Sequence, residues 1–106
     1  MLIYFKEDEP FLNPQLSLKF VADVLEINTN KISYLINKAF LLNFNDFVNS
    51  YRLIHFKSIA LELKNSHLTI LGLAYESGFN TKSVFNTYFK RIEGITPSKW
   101  VKSKTN

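Results

Sequence analysis

The sequence predicts an all-α domain made of two helix-turn-helix units joined by one long central helix. Three observations carry this. Apolar side chains recur three and four residues apart through most of the chain, the period of a helix that buries one face. Gly78 separates a short apolar stretch from a polar-faced one, at a point where a helix must stop and turn on a permissive backbone. The stretch from Ala22 to Val48 also repeats, role for role, in that from Ala74 to Val101.

Taken in order, residues 1–10 open with Leu2-Ile3-Tyr4-Phe5 and then Lys-Glu-Asp-Glu before Pro10, which predicts a connector or short helix ending ahead of the proline. If the domain continues from a longer protein, the join lies here. Residues 11–106 form the domain itself. Phe11 to Leu16 is a connector that pins Phe11 and Leu16 to the core. Ser17 caps a helix with Leu18, Val21, Ala22, Val24 and Leu25 on its apolar side, broken after Glu26. Asn28 caps the next, which turns Ile32, Leu35, Ile36 and Phe40 inward and leaves Thr29, Asn30, Lys31, Ser33, Tyr34, Asn37 and Lys38 mostly outside. These elements make the first unit, residues 11–43.

A corner at residues 41–43 leads to the linker helix, residues 44–64, through Phe47, Val48, Tyr51, Phe56, Ile59, Ala60 and Leu63, with no proline or glycine to interrupt it. Asn65-Ser66-His67 breaks it. The second unit, residues 66–101, begins where Ser66 or Thr69 starts a helix through Ile70, Leu71, Leu73 and Ala74 to Gly78. Asn80 is expected to cap the following helix, where Phe85, Phe89 and Ile92 face inward and Lys82, Ser83, Asn86, Thr87, Lys90 and Arg91 face out. Gly94 ends that helix, and Thr96-Pro97 starts another with a cap and a proline at its first position. The tail after Trp100 is polar and expected to fray.

A shift of 52 lays Ala22 on Ala74, Ile27 on Phe79 and Asn28 on Asn80; a shift of 53 then lays Ile32 on Phe85, Ile36 on Phe89, Leu41 on Gly94, Asn43 on Thr96 and Phe47 on Trp100. The second unit thus has one residue more, expected in its reading helix. A linker of about 19 residues spans roughly 28 Å, enough with its corners to hold two reading helices about one DNA turn, roughly 34 Å, apart.

At 46% apolar, with three glycines and three prolines, the 106 residues suffice for one cored domain and leave little for linkers. The absence of cysteine rules out a disulfide framework and fits a cytoplasmic protein. There is no apolar run of about 18 residues to span a membrane and no apolar core of a signal peptide. The net charge of +4 is lopsided: −1 up to Leu53 and +5 from Ile54 on, most of it at or after Lys82. That distribution suits a polyanion, or a solvated basic face. His55 and His67 stand twelve apart without cysteine or a carboxylate cluster, so no metal is expected. No Ser-His-Asp spacing, paired acids or Gly-rich phosphate loop points to catalysis or a cofactor, and an enzyme is not expected.

Ala74, Gly78-Phe79, Ser83, Phe85, Phe89-Lys90, Gly94 and Thr96-Pro97, with weaker support from Leu18, Ala22, Asn37, Asn43-Phe44, Phe47 and Tyr51-Arg52, resemble the DNA-binding domain of AraC/XylS-family transcription regulators. The resemblance runs from about Phe11 to Val101. It implies seven helices and sequence-specific binding of double-stranded DNA that recruits or blocks RNA polymerase. By resemblance, the base-contacting positions fall on Asn30, Ser33 and Tyr34 in the first unit and on Lys82, Ser83, Asn86 and Thr87 in the second. Such side chains suit base edges: Asn for adenine, Lys for guanine, Ser or Thr for either. Lys31, Lys38, Lys90 and Arg91, with the amides opening the reading helices, suit phosphates.

Glu26 and Leu41 stand where the family usually has glycine, so each takes up a strained backbone or its turn differs. Phe56 stands where a small residue is common. Some roles stay open. Tyr34 contacts DNA or packs at the boundary, Ser83 reads a base or bonds backbone, and Arg52 reaches phosphate or pairs with a carboxylate inside the domain. The rival function is a helix-turn-helix platform for protein interaction or dimerisation. The chain is a regulator by itself or, as the connector-like opening suggests, the output end of one with a sensor or effector domain.

Overall fold

The structure, a computed structural model, describes residues 1–62 and 67–104. Among them are seven α-helices and no strand: α1 (Leu2–Asp8), α2 (Leu18–Leu25), α3 (Thr29–Phe40), α4 (Phe44–Ala60), α5 (Ile70–Glu76), α6 (Lys82–Glu93) and α7 (Pro97–Lys104), with a single 3-10 turn at Pro10–Leu12. Side-chain oxygens close the helix starts. Ser17 accepts from the Phe20 amide at 3.1 Å, Asn28 from Asn30 at 2.7 Å, Asn43 from Asp46 at 2.8 Å and Thr69 from Gly72 at 2.9 Å. Each such cap contributes about 1 kcal/mol.

The chain folds as two lobes strung on α4. Phe5, Phe11, Val21, Ala22, Ile32 and Ile36 bury against Phe47 and Val48 near the start of α4. Leu73, Ala74, Phe79, Phe85, Tyr88, Phe89 and Trp100 bury against Leu53 and Phe56 further along it. Phe56 is fully enclosed, its ring 5.0 Å from Phe85, 5.7 Å from Phe89 and 6.5 Å from Trp100. Enclosing a ring of that size contributes on the order of 1.5–3 kcal/mol. A large residue is therefore the keystone where a small one was expected.

Between the two clusters Arg52 is buried with no carboxylate partner among the described residues. Its Nε donates to the Phe11 carbonyl at 2.7 Å, one terminal nitrogen to the Asn13 carbonyl at 2.9 Å and the other to Asn49 Oδ1 at 3.2 Å. Burial lowers its pKa from the ordinary guanidinium value. Neither sequence-based role for Arg52 holds: it ties the connector before α2 to the linker helix.

The repeat survives in backbone detail. Ile27 N–H reaches the Ala22 carbonyl at 3.0 Å, and Phe79 N–H reaches Ala74 at 3.1 Å, the closing bond of a Schellman turn in both units. Leu41 N–H bonds Asn37 and Gly94 N–H bonds Lys90, each at 2.8 Å. Glu26 (φ 55°) and Leu41 (φ 57°) take the left-handed backbone that Gly78 (φ 98°) and Gly94 (φ 78°) take in the second unit. Both turns make the same left-handed step, with one residue more before the cap in the second; the first unit carries the strain, on the order of 1–2 kcal/mol per residue.

Several expectations are corrected. α6 is capped by Thr81, whose Oγ1 accepts from Val84 at 3.1 Å, and not by Asn80. Both reading helices have 12 residues, so the extra residue of the second unit sits in its turn. Tyr88 is buried while Ile92 is half exposed, because α6 turns a slightly different side to the core. Leu35, Phe40 and Val24 are also exposed, and Phe40 rests its ring against Phe47 at 5.2 Å. α4 ends at Ala60, with Leu61 as its C-cap; Leu63 to Ser66 lie outside the described residues. Of the tail expected to fray, Lys102 to Lys104 continue α7, while Thr105 and Asn106 lie outside the described residues.

Candidate nucleic-acid interface

α3 and α6 present matching outer faces. With both helices 12 residues long and offset by 53, Asn30 corresponds to Ser83, Ser33 to Asn86, Tyr34 to Thr87 and Lys38 to Arg91. On α3, Asn30, Lys31, Tyr34 and Lys38 are exposed and Ser33 is partly covered. On α6, Lys82, Ser83, Asn86, Thr87, Lys90 and Arg91 are all exposed. Each face is thus polar and solvated on the side opposite its buried residues, Ile32 and Ile36 in α3 and Phe85 and Phe89 in α6.

Tyr34 is 60% exposed, and the Lys38 ammonium stands 5.8 Å from its ring centroid, so the phenol stands clear of the core beside a cation. The Thr81 hydroxyl caps α6, leaving Ser83 one residue inside the helix with an exposed side chain. The caps also occupy the Asn30 and Val84 amides, so these two no longer serve as free donors at the helix starts.

Charge on the second face is less free than the composition suggests. A terminal nitrogen of Arg91 lies 2.9 Å from Asp46 Oδ1 on the first turn of α4, and its guanidinium carbon is 5.2 Å from the Tyr88 ring. Glu93, two residues further on, accepts from Lys57 Nζ at 2.7 Å, and that ammonium stands 5.6 Å from the Trp100 ring. Lys82 and Lys90 carry no ion pair among the described residues. A shallow cleft of about 380 Å³ runs between α4 and α6, lined by Asp46, Asn49, Ser83, Thr87 and Arg91 among others. The Tyr88 phenol beside it is held above its ordinary pKa by burial first and by Asp46 second.

Asp46, Lys57 and Glu93 were not singled out by the sequence. The pairs join positions 45 and 36 residues apart, and no local spacing marks them. Tyr88 was hidden by its position beside Phe89, where only the roll of the helix decides which ring turns inward. Among the described residues no group of three or more His, Cys, Asp or Glu gathers as a metal site, and no helix is long and apolar enough to cross a membrane.

Comparison with known proteins places these faces in context. The helix-turn-helix domain family matches residues 21–103. A protein from Listeria innocua superposes with a TM-score of 0.78 at 29% identity, over 95% of this chain and 90% of that one. The C-terminal domain of the two-component response regulator yesN from Fusobacterium nucleatum superposes at 0.77 and 25% identity, over 94% of each chain. The C-terminal domain of AraT, a response regulator from Geobacillus stearothermophilus, gives 0.77 over 91% of this chain and 77% of that one; at 23% identity the likeness is one of fold. No match was found among curated proteins.

Proposed function

From a chain that belongs to the AraC-type helix-turn-helix family of DNA-binding domains, we propose sequence-specific recognition of double-stranded DNA by two reading helices, α3 and α6, in successive major grooves. The observation that carries this is the pair of backbone turn bonds and left-handed helix ends shared by both units, with a side-chain cap on each reading helix, which gives the two helices equal length and matching polar faces. α4, with 17 residues, spans about 26 Å at 1.5 Å per residue. The whole chain measures 46 Å along its longest axis, room for two helices roughly 34 Å apart, one turn of duplex.

In this reading Asn30, Ser33, Tyr34, Lys82, Ser83, Asn86 and Thr87 meet base edges, while Lys31, Lys38, Lys90 and Arg91 meet phosphates. The second reader supplies more of the affinity where phosphate draws Arg91 from Asp46, since α6 then offers Lys82, Lys90 and Arg91 against Lys31 and Lys38 on α3. The chain acts as the output domain of a bacterial transcription regulator in the cytoplasm, coupled to a sensor or effector domain and acting on RNA polymerase. Likeness to the C-terminal domain of the response regulator yesN supports that coupling.

The test is selection of duplexes from a random pool, followed by mobility-shift titration in rising salt. The expected result is one preferred sequence class with two contacted segments about one turn apart. No preference over random DNA overturns the reading and leaves the fold as a platform for protein interaction or dimerisation.

A further inference from the structure

The backbones of α4 and α6 approach each other little, and side chains make most of the connection between them. One part of it is the ring cluster of Phe56 with Phe85 and Phe89. These rings pack in tilted and edge-to-face geometry, but both meet α4 at the single side chain of Phe56, a point about which the end of α6 can still turn. The other part is the two ion pairs. Arg91 and Glu93 lie in the last turn of α6 and diverge to opposite sides of it. They reach Asp46 and Lys57, which are eleven residues, or about 16 Å, apart along α4. A helix end held by two divergent tethers to separated points on one rod loses its swing.

Both carboxylates are mostly covered, at 25% and 19% side-chain exposure, and Tyr88 and Trp100 back the two cations. The cations remain in water, Arg91 at 55% and Lys57 at 33% side-chain exposure, so the pairs add little to stability and their directional hold is the larger consequence. We infer that Asp46–Arg91 and Lys57–Glu93 are positioning contacts that fix the orientation of the second reading helix on the linker helix, and so determine the spacing between half-sites that the protein accepts. Asp46, Lys57 and Glu93 act through α6 and need not touch DNA.

The first arm needs no DNA. The chain has no cysteine, so Asn37→Cys on α3 and Ile92→Cys on α6, both exposed, accept a pair of spin labels cleanly. The expected result is one narrow distance distribution, broadened in Asp46→Asn/Lys57→Met while helical content is unchanged. The exchange Lys57→Glu/Glu93→Lys, with Asp46 intact, restores the narrow distribution. An unchanged width in the double variant overturns the inference, and so does loss of helical content, which would make the pairs supports of the fold.

The second arm rests on the two-reader reading. A selected duplex is compared with the same duplex carrying one extra base pair between its half-sites, a displacement of about 3.4 Å and a tenth of a turn. The wild type is expected to prefer the original spacing by about tenfold or more, and the double variant by about threefold or less. Because the readout is a ratio, effects of charge common to both duplexes cancel. An equal ratio in the two proteins overturns the inference. If no duplex is selected, the DNA reading falls and the labels alone decide.

Discussion

Arg52 and Gly78 are in contact across the two lobes: a Cβ built on Gly78 would lie 2.9 Å from Arg52 Nε and 2.1 Å from the Phe11 carbonyl oxygen that Arg52 binds. The glycine is demanded by its left-handed φ of 98° and by the backbone packed against it. The turn of the second unit is thereby seated on the connector of the first.

Gly78→Ala is accordingly expected to destabilise the domain by about 3 kcal/mol or more, since overpacking against fixed backbone adds to conformational strain. Thermal denaturation followed by circular dichroism checks this. For a chain of this size such a loss lowers the midpoint by more than about 12 °C.

Arg52→Met should cost a similar amount for a different reason. The side-chain volume is roughly kept, but the Phe11 and Asn13 carbonyls lose their donor, at about 1–3 kcal/mol for each buried group left unpaired. Urea unfolding measures the loss. A change below about 1 kcal/mol would show that water replaces the guanidinium.

Leu41→Gly is expected to stabilise the protein by about 0.5–1 kcal/mol. Leu41 is 83% exposed and has little packing to lose, while relief of the left-handed strain exceeds the added entropy of the unfolded chain. Glu26→Gly should follow the same direction. Both shifts are readable in the thermal midpoint.

Alkaline pH should unfold the domain through its tyrosines. Burial raises the pKa of Tyr88, Tyr51 and Tyr4 above the ordinary value near 10. The folded state thus holds these protons after the unfolded chain has released them. The corresponding stability is complete below about pH 10 and is lost as pH rises through the folded values. Tyr88→Phe should make the decline in stability above that pH shallower, as urea midpoints across the range will show.

Two substitutions on α6 should separate reading from grip. Asn86→Ala is expected to cost about 1–3 kcal/mol on the selected duplex and to relax preference at particular bases. Lys90→Ala should weaken all duplexes alike and lower the slope of log affinity against log salt by about one. Titrations at several salt concentrations distinguish the two patterns.

Much of the fold was legible because its signals are local. Ser17, Asn28, Asn43 and Thr69 close helices over two or three residues, and Ile32, Ile36, Phe85 and Phe89 declare their inward faces by spacing. The outer faces of α3 and α6 followed from the same spacing. The cap of α6 was misplaced by one residue because Asn80 and Thr81 are both good capping residues, and only the backbone geometry chooses between them.

By itself the sequence determined the seven helices, the two-unit repeat, the polar faces of the reading helices and the concentration of positive charge in the second half. Each depends on residues near one another in the chain. Tertiary structure alone decided what joins them. Arg52 satisfies carbonyls 39 and 41 residues away, Glu26 and Leu41 take the left-handed turn that joins one helix to the next, and Arg91 is met by Asp46. These contacts leave no periodicity to read. Their partners are chosen by how the helices lie together, and that is set by the summed burial of two cores on one shared helix.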